Sequence, residues 1–460
     1  MRSIVLRAVA ASGLFVACAA FAGASSAAHA ATAAPAAATA PLGQITPGDW
    51  PTYHLNNQRD GNQTKLSPLT TLSLNWTAPV DGAVYGQPLL VGGRVFAATE
   101  NDTVYALNRS TGAVIWSAHL GSPEPLSSLP CGDIDPLGIT STMVYDPGTN
   151  RVYALAELAG ATHTLFGINA ATGTVELQTP LDPPKGTANT FQQRGALTLL
   201  NGRIYVPYGG LYGDCGNYIG QVVSVATDGT GETSYAVPTT REGGIWETGG
   251  GVVDPSGNLL YASGNGAATS GTYDGADSVM ELSPSLQRLD FFAPTDWATQ
   301  NGGDADLGSQ TPAIVGQYIY EDGKTNNGYV LKLGALGGVG GQVAELANTC
   351  QTFGTAAVAG NIVYAPCASG PQAVSIAADG TPTVLWKSTV PAEGSPVIGG
   401  GAVWWVDYFG GELYALDPAT GATKAQIYLG SACPTFTSPT VVGNQAFVGT
   451  KTSVVAVGGA

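Results

Sequence analysis

From Gly48 onward the apolar residues fall in short β-branched and aromatic runs, each cut by Gly, Asn or Asp, and no stretch keeps a helical period. The first clear unit is Gly86-Gln87-Pro88-Leu89-Leu90-Val91, a Gly92-Gly93 turn and Arg94-Val95-Phe96-Ala97. Val104-Tyr105-Ala106-Leu107 follows and, past Ser110-Thr111-Gly112, a strand ending near Trp116. The same phrase returns near residues 138, 195, 248, 308, 353, 394 and 437. One such sheet cannot bury its own faces, so the copies must stack around an axis. The pattern therefore predicts an all-β chain folded as an eight-bladed β-propeller. The copy opening at Ser438-Pro439-Thr440 stops before its outermost strand, and Leu72-Ser73-Leu74-Asn75-Trp76-Thr77 reads as the missing one, because it ends like Ile115-Trp116-Ser117. Closing the ring with strands from both termini removes exposed edges. Trp76, Trp116 and Trp386 read as residues that pack one blade on the next.

The N-terminus has a different texture. Residues 1–30 open with Arg2 and Arg7, run through an Ala-rich apolar stretch and end at the small-residue site Ala28-His29-Ala30, which reads as a secretory signal peptide. The cut at Ala28-His29-Ala30 is better than lipidation at Cys18. Residues 31–47 are an Ala/Pro-rich linker unable to bury a core, and residues 48–460 form the single propeller domain. No run in the mature part is long and apolar enough to span a membrane. Cleavage leaves 15 basic against 33 acidic residues, a net charge of −18. Such a surface repels phosphate backbones and disfavours nucleic acid as a partner. A monomer secreted to the cell envelope or beyond is expected, with a small molecule or a cell-envelope protein as its partner.

Five cysteines remain after cleavage. Cys350 and Cys367 flank one hairpin that turns at Gly360-Asn361, and Cys131 and Cys215 sit in loops on one face, so these are the expected pairs, with Cys433 free. The three remaining histidines form no His-Glu-x-x-His, and Gly-x-Ser-x-Gly is absent, so zinc-hydrolase and serine-esterase chemistries lack a starting point.

Val104-Tyr105-Ala106-Leu107-Asn108-Arg109-Ser110-Thr111-Gly112-Ala113-Val114-Ile115-Trp116 resembles the tryptophan-docking repeat of pyrroloquinoline-quinone (PQQ) propellers, and Leu413-Tyr414-Ala415-Leu416-Asp417-Pro418-Ala419-Thr420-Gly421 is a second copy. The resemblance implies the fold of quinoprotein alcohol dehydrogenases, a fold shared with a non-catalytic lipoprotein of the outer-membrane barrel-assembly machinery. Loops at the start of each inner strand and the end of each second strand converge on one face. There the resemblance implies Asn265, in Tyr261-Ala262-Ser263-Gly264-Asn265, as a calcium ligand, together with Asp304 and Asp306 of Asp304-Ala305-Asp306 and the nearby Asp214. It implies Asp304 as the catalytic base and Lys324 as the cation against the quinone oxygens. Hard oxygen donors suit calcium, a carboxylate takes a hydroxyl proton, and a cation polarises a carbonyl. A glycine run, Gly249-Gly250-Gly251, stands where the family has the tryptophan under the quinone ring, with Trp246 a few residues earlier as the candidate ring contact. The family's glutamate ligand has no counterpart, and no Cys-x-x-Cys-His occurs.

Two functions follow. One is an exported binding or scaffold propeller whose polar funnel holds a small ligand, a cation or a partner segment. The alternative is a PQQ- and calcium-dependent alcohol or sugar dehydrogenase.

Overall fold

The computed structural model describes residues 42–68 and 71–459. The expected signal peptide, Cys18 and most of the linker lie outside the described residues. Eight antiparallel sheets follow one another along the chain. Blade one comprises Leu89–Val91, Arg94–Ala98, Thr103–Asn108 and Val114–His119, and blade two runs from Val144–Asp146 to Val175–Pro180. The inner strands of blades three to seven start at Thr198, Val252, Ala313, Ala357 and Val397. Blade eight takes Thr440–Val442, Gln445–Gly449 and Ser453–Gly459 from the C-terminus and Leu72–Pro79 from the N-terminus. That outer strand pairs antiparallel from Leu72 opposite Gly459 to Pro79 opposite Ser453, which is the expected closure of the ring. Among the described residues there is one α-helix, Trp297–Gly303, inserted after blade four, and no helix long and apolar enough to cross a membrane.

The blades hold together through apolar faces pressed against their neighbours. Leu89, Phe96 and Val104 of blade one meet Tyr145, Phe166 and Ile168 of blade two, all buried. Each such side chain contributes about 1.5–3 kcal/mol when fully withdrawn from water. A tryptophan on one outer strand also docks on the Thr-Gly turn of the next blade. Trp76, Trp116 and Trp386 lie so close over Gly112, Gly173 and Gly421 that a Cβ there would sit 2.5–2.7 Å from the ring. Each indole N–H donates to a backbone oxygen of that turn, at 2.8 Å to Arg109, 3.1 Å to Ala170 and 2.9 Å to Pro418. The repeat's spacing of tryptophan and Thr-Gly is thus a packing device.

The axial channel is closed at one end by the segment just before the outer strand. It passes the inner strands in ring order, pairing Trp50 with Leu90 of blade one, Pro51 with Tyr145 of blade two, and Asn57 with Leu199 and Val253 of blades three and four. Asp60 then meets Val358 of blade six, Gly61 meets Ile398 of blade seven, and Ser67 meets Gly443 of blade eight. Trp50, His54 and Arg59 are buried to 2% exposure or less. The Arg59 guanidinium donates to Thr52 Oγ1, the Tyr53 carbonyl, the Leu197 carbonyl and Thr198 Oγ1, leaving Nε alone unpartnered. Burial drives the His54 pKa down to about 3, so the imidazole is neutral and bonds Ser438 Oγ at 3.1 Å. This plug sits at the far ends of the inner strands and leaves their starting ends open.

Candidate functional site

The open end holds a cavity of about 390 Å³. Its wall includes all six residues singled out in the sequence: Asp214, Trp246, Asn265, Asp304, Asp306 and Lys324. The helix Trp297–Gly303 sets the geometry. Asp304 ends it in a left-handed conformation, φ 51°, which a short polar side chain tolerates, and its N–H caps the Gln300 carbonyl. Asn301 pins the helix to the blade-four loop, accepting from Gly266 N at 2.7 Å and donating to the Ala268 carbonyl at 2.7 Å. The loop carrying Asn265 and the turn carrying Asp304 and Asp306 are thereby fixed against each other.

Lys324 is the hub. Its N–H donates to the Asp306 carbonyl at 3.0 Å, and its Nζ lies 3.0 Å from Asp304 Oδ1 and 2.5 Å from Asp306 Oδ2. Burial acts to lower the Lys324 pKa, but Asp306 and Asp304 outweigh it and hold it above its ordinary value. Asn265 Nδ2 donates to Asp304 Oδ1 at 2.8 Å, and Asn265 N donates to Asp306 Oδ1 at 2.7 Å. Asn265 Oδ1 is buried without a hydrogen-bond partner. Asp214, expected beside these groups as a ligand, instead accepts from the Tyr218 hydroxyl, and burial raises its pKa. The described residues contain no group of three His, Cys, Asp or Glu placed to hold a metal. The nominated oxygens share one cavity, and Lys324 Nζ contacts both Asp304 and Asp306 there.

The glycine run is explained by packing at the axis. Gly249 N donates to Thr311 Oγ1 at 3.0 Å, and a Cβ on Gly250 would collide with the Ala196 carbonyl. Trp246 itself lines the cavity, with Lys324 Nζ 5.8 Å from its ring centroid and the Phe436 ring 6.2 Å away. Phe353 stacks on Phe436 at 6.0 Å and 6°. Both expected disulfides are present and serve this face. Cys131–Cys215 ties the loop of Asp133 to that of Asp214, and Cys350–Cys367 ties the loop before Phe353 to the loop after the second strand of blade six, Ile362–Ala365. Cys433 is free and buried, its thiol pushed up to about 12 by burial.

Arg194, Tyr85, Phe353 and Phe436 were not anticipated. All four stand four residues before the first residue of their blade's inner strand, and all line the cavity. That register was available in the repeat alignment, where Arg194 and, in blade seven, Glu393 are the charged residues at a position otherwise aromatic or small. The Arg194 guanidinium lies 5.5 Å from both the Tyr85 and Phe436 ring centroids.

The fold and this cavity define a quinoprotein-like β-propeller with PQQ-like repeats. Residues 65–253 match the family model described as outer membrane protein assembly factor BamB. Polyvinylalcohol dehydrogenase of Sphingopyxis sp. (strain 113P3) is 24% identical over 249 residues, 47% of this chain and 34% of that protein. The match therefore spans about a third of the length of that curated relative. Among solved structures, quinohemoprotein alcohol dehydrogenase from Pseudomonas putida HK5 superposes with a TM-score of 0.70 at 13% identity, covering 90% of this chain and 80% of that one. BamB from Moraxella catarrhalis gives 0.58 at 12% identity, covering 84% and 97%. At these identities the structural likeness speaks for the fold alone.

Proposed function

We propose that this propeller is a quinone-dependent dehydrogenase that oxidises a hydroxyl-bearing substrate in the open cavity. The observation that carries the reading is the contact of Lys324 Nζ with Asp304 at 3.0 Å and Asp306 at 2.5 Å, in a cavity walled by Trp246. PQQ is a planar tricarboxylate quinone, and the residues present suit it. Trp246, Phe353 and Phe436 offer aromatic faces, and Lys324 and Arg194 offer cationic donors. A divalent cation is less well provided for: Asn265 Oδ1 is free, but Lys324 and Asn265 donors hold both oxygens of Asp306 and one of Asp304.

When bound, the quinone supplies a two-electron acceptor. Asp304 would take the proton of the substrate hydroxyl: its side chain is 71% exposed, and its Oδ2 has no described partner. Asn265 and Lys324 hold its other oxygen and so fix the carboxylate's orientation. Lys324, kept protonated by the two aspartates, would hold the quinone oxygens. The relative named polyvinylalcohol dehydrogenase makes a secondary alcohol, including one along a polymer, the first substrate class to assay. The mouth, with Tyr212 at 72% exposure, offers an apolar flank for such a chain. We further infer export to an oxidising compartment, in keeping with the two disulfides.

A second reading, a binding propeller of the cell envelope, is favoured by the family model that residues 65–253 match. Titrating the purified protein with PQQ, with and without calcium, while following tryptophan fluorescence and dye-linked oxidation of a secondary alcohol, separates the two. Quenching with turnover supports the dehydrogenase. Absence of any PQQ binding favours the binding module.

A further inference from the structure

The cavity has two cationic ends that are treated differently. At one, Lys324 is neutralised by two aspartates. At the other stands Arg194, 8% exposed, and none of the ion pairs among the described residues includes it. Its described hydrogen bonds go to backbone carbonyls, Nη2 to Thr435 at 2.9 Å and Nη1 to Thr140 at 3.5 Å. A guanidinium carries five donors, so most of its capacity is unspent. The acidic groups that act on it at longer range are Glu100 and Asp133, with the phenols of Tyr53 and Tyr85. Glu100 forms no ion pair with it: Oε2 accepts from Gly138 N at 2.7 Å and the Thr140 hydroxyl at 3.2 Å, and Oε1 is buried without a partner.

A buried arginine without a carboxylate partner is costly unless something supplies the charge. Here the unspent donors belong to a residue that lines the cavity. Phe436, in a left-handed backbone conformation with φ 64°, holds its ring between Arg194 and Trp246. The wall therefore runs from Lys324 over Trp246 and Phe436 to Arg194, an aromatic surface with an ion-paired cation at one end and a cation without an ion pair at the other. In a chain of net charge −16, an anionic ligand needs such a local anchor.

We propose that Arg194 is a carboxylate-binding site and that the cavity selects planar aromatic ligands bearing a carboxylate at the end remote from Lys324. The proposal rests on the quinone reading of the cavity, and it adds which end of the ligand the protein grips and by what charge. The guanidinium, flanked by two rings, offers a pre-oriented fork to a carboxylate, the geometry in which arginine outperforms lysine.

The test is binding, measured by calorimetry and tryptophan quenching, of three probes to the wild type, Arg194→Met and Arg194→Lys. The probes are PQQ, its trimethyl ester and trimesate, a benzene tricarboxylate without a quinone. Arg194→Met should weaken PQQ by about 10–100-fold, the worth of a charged hydrogen-bonded contact, and change the ester less than about two-fold. Arg194→Lys should fall between, and it serves as the test variant if Arg194→Met fails to fold. Unchanged PQQ affinity in a folded Arg194 variant overturns the proposal and leaves the quinone reading intact. Arg194-dependent binding of trimesate with no binding of PQQ supports the carboxylate site and removes the quinone reading. If the wild type binds neither acid, both fall.

Discussion

The two ends of the axial channel are built from similar residue types and put them to opposite uses. At the closed end, the buried Arg59 spends four donor contacts on the plug and blade three, and the plug's Tyr53 hydroxyl bonds Thr248 Oγ1 at 3.2 Å. At the open end, among the described residues, the buried Arg194 has no carboxylate partner, Asn265 Oδ1 has no hydrogen-bond partner, and the Asp304 side chain is 71% exposed. Saturated polar groups rigidify, whereas unsatisfied ones in a cavity wait for a ligand. The ring concentrates its stability at one end and keeps chemistry available at the other.

The strongest way to break this contrast is to remove a closed-end anchor. Trp50→Ala should cost about 3–5 kcal/mol in urea unfolding, because a fully buried indole leaves a cavity. A loss under about 1 kcal/mol would mean that the plug does not anchor the closed end.

The pH dependence should differ in sign between the ends. Burial raises Glu100, just past the second strand of blade one, and Asp322, at the end of the second strand of blade five, to about 7. A raised carboxyl stabilises least where the unfolded form has ionised and the folded form must follow, so stability should decline as pH rises from about 4 through 7. His54 at the closed end is depressed to about 3, so its contribution is lost as pH falls below about 6.5. Glu100→Gln should flatten the upper limb of a melting-temperature profile and His54→Gln the lower; a profile unchanged by either variant would refute the assignment.

A smaller effect is expected at Lys324. Lys324→Met leaves Asp304 and Asp306 facing each other and should cost about 1–2 kcal/mol, recovered when Asp306→Asn is added. Calcium should raise the melting temperature of Lys324→Met more than that of the wild type, in which the ammonium already occupies the carboxylates. A larger calcium effect on the wild type would place the metal in the resting site after all. Asp304→Asn, at a mostly exposed carboxylate, should change stability by less than about 0.5 kcal/mol in the same urea experiment.

Much of this was legible in the sequence because the repeat exposes it. The Thr-Gly turns and docking tryptophans gave the blades, the strand from Leu72 gave the closure, and loop positions at one face brought together Asn265, Asp304, Asp306 and Lys324. The plug was not legible. Tyr53-His54-Leu55-Asn56-Asn57-Gln58-Arg59 has neither strand nor helix period, and its burial comes from backbone bonds to strands far along the chain. The short helix before Asp304 is also too brief to show a period. Which oxygens remain free near Asp304 depends on where the Lys324 side chain reaches, a packing result that loop position cannot supply.

The central claim, that the open end oxidises alcohols with Asp304 as base, is tested most directly by dye-linked oxidation of a secondary alcohol by the PQQ-loaded wild type and Asp304→Asn. The account predicts turnover in the wild type and a loss of about 10²–10⁴-fold in Asp304→Asn, with PQQ affinity and melting temperature retained. Wild-type turnover matched by Asp304→Asn, or PQQ bound tightly with no turnover of any alcohol, would contradict it.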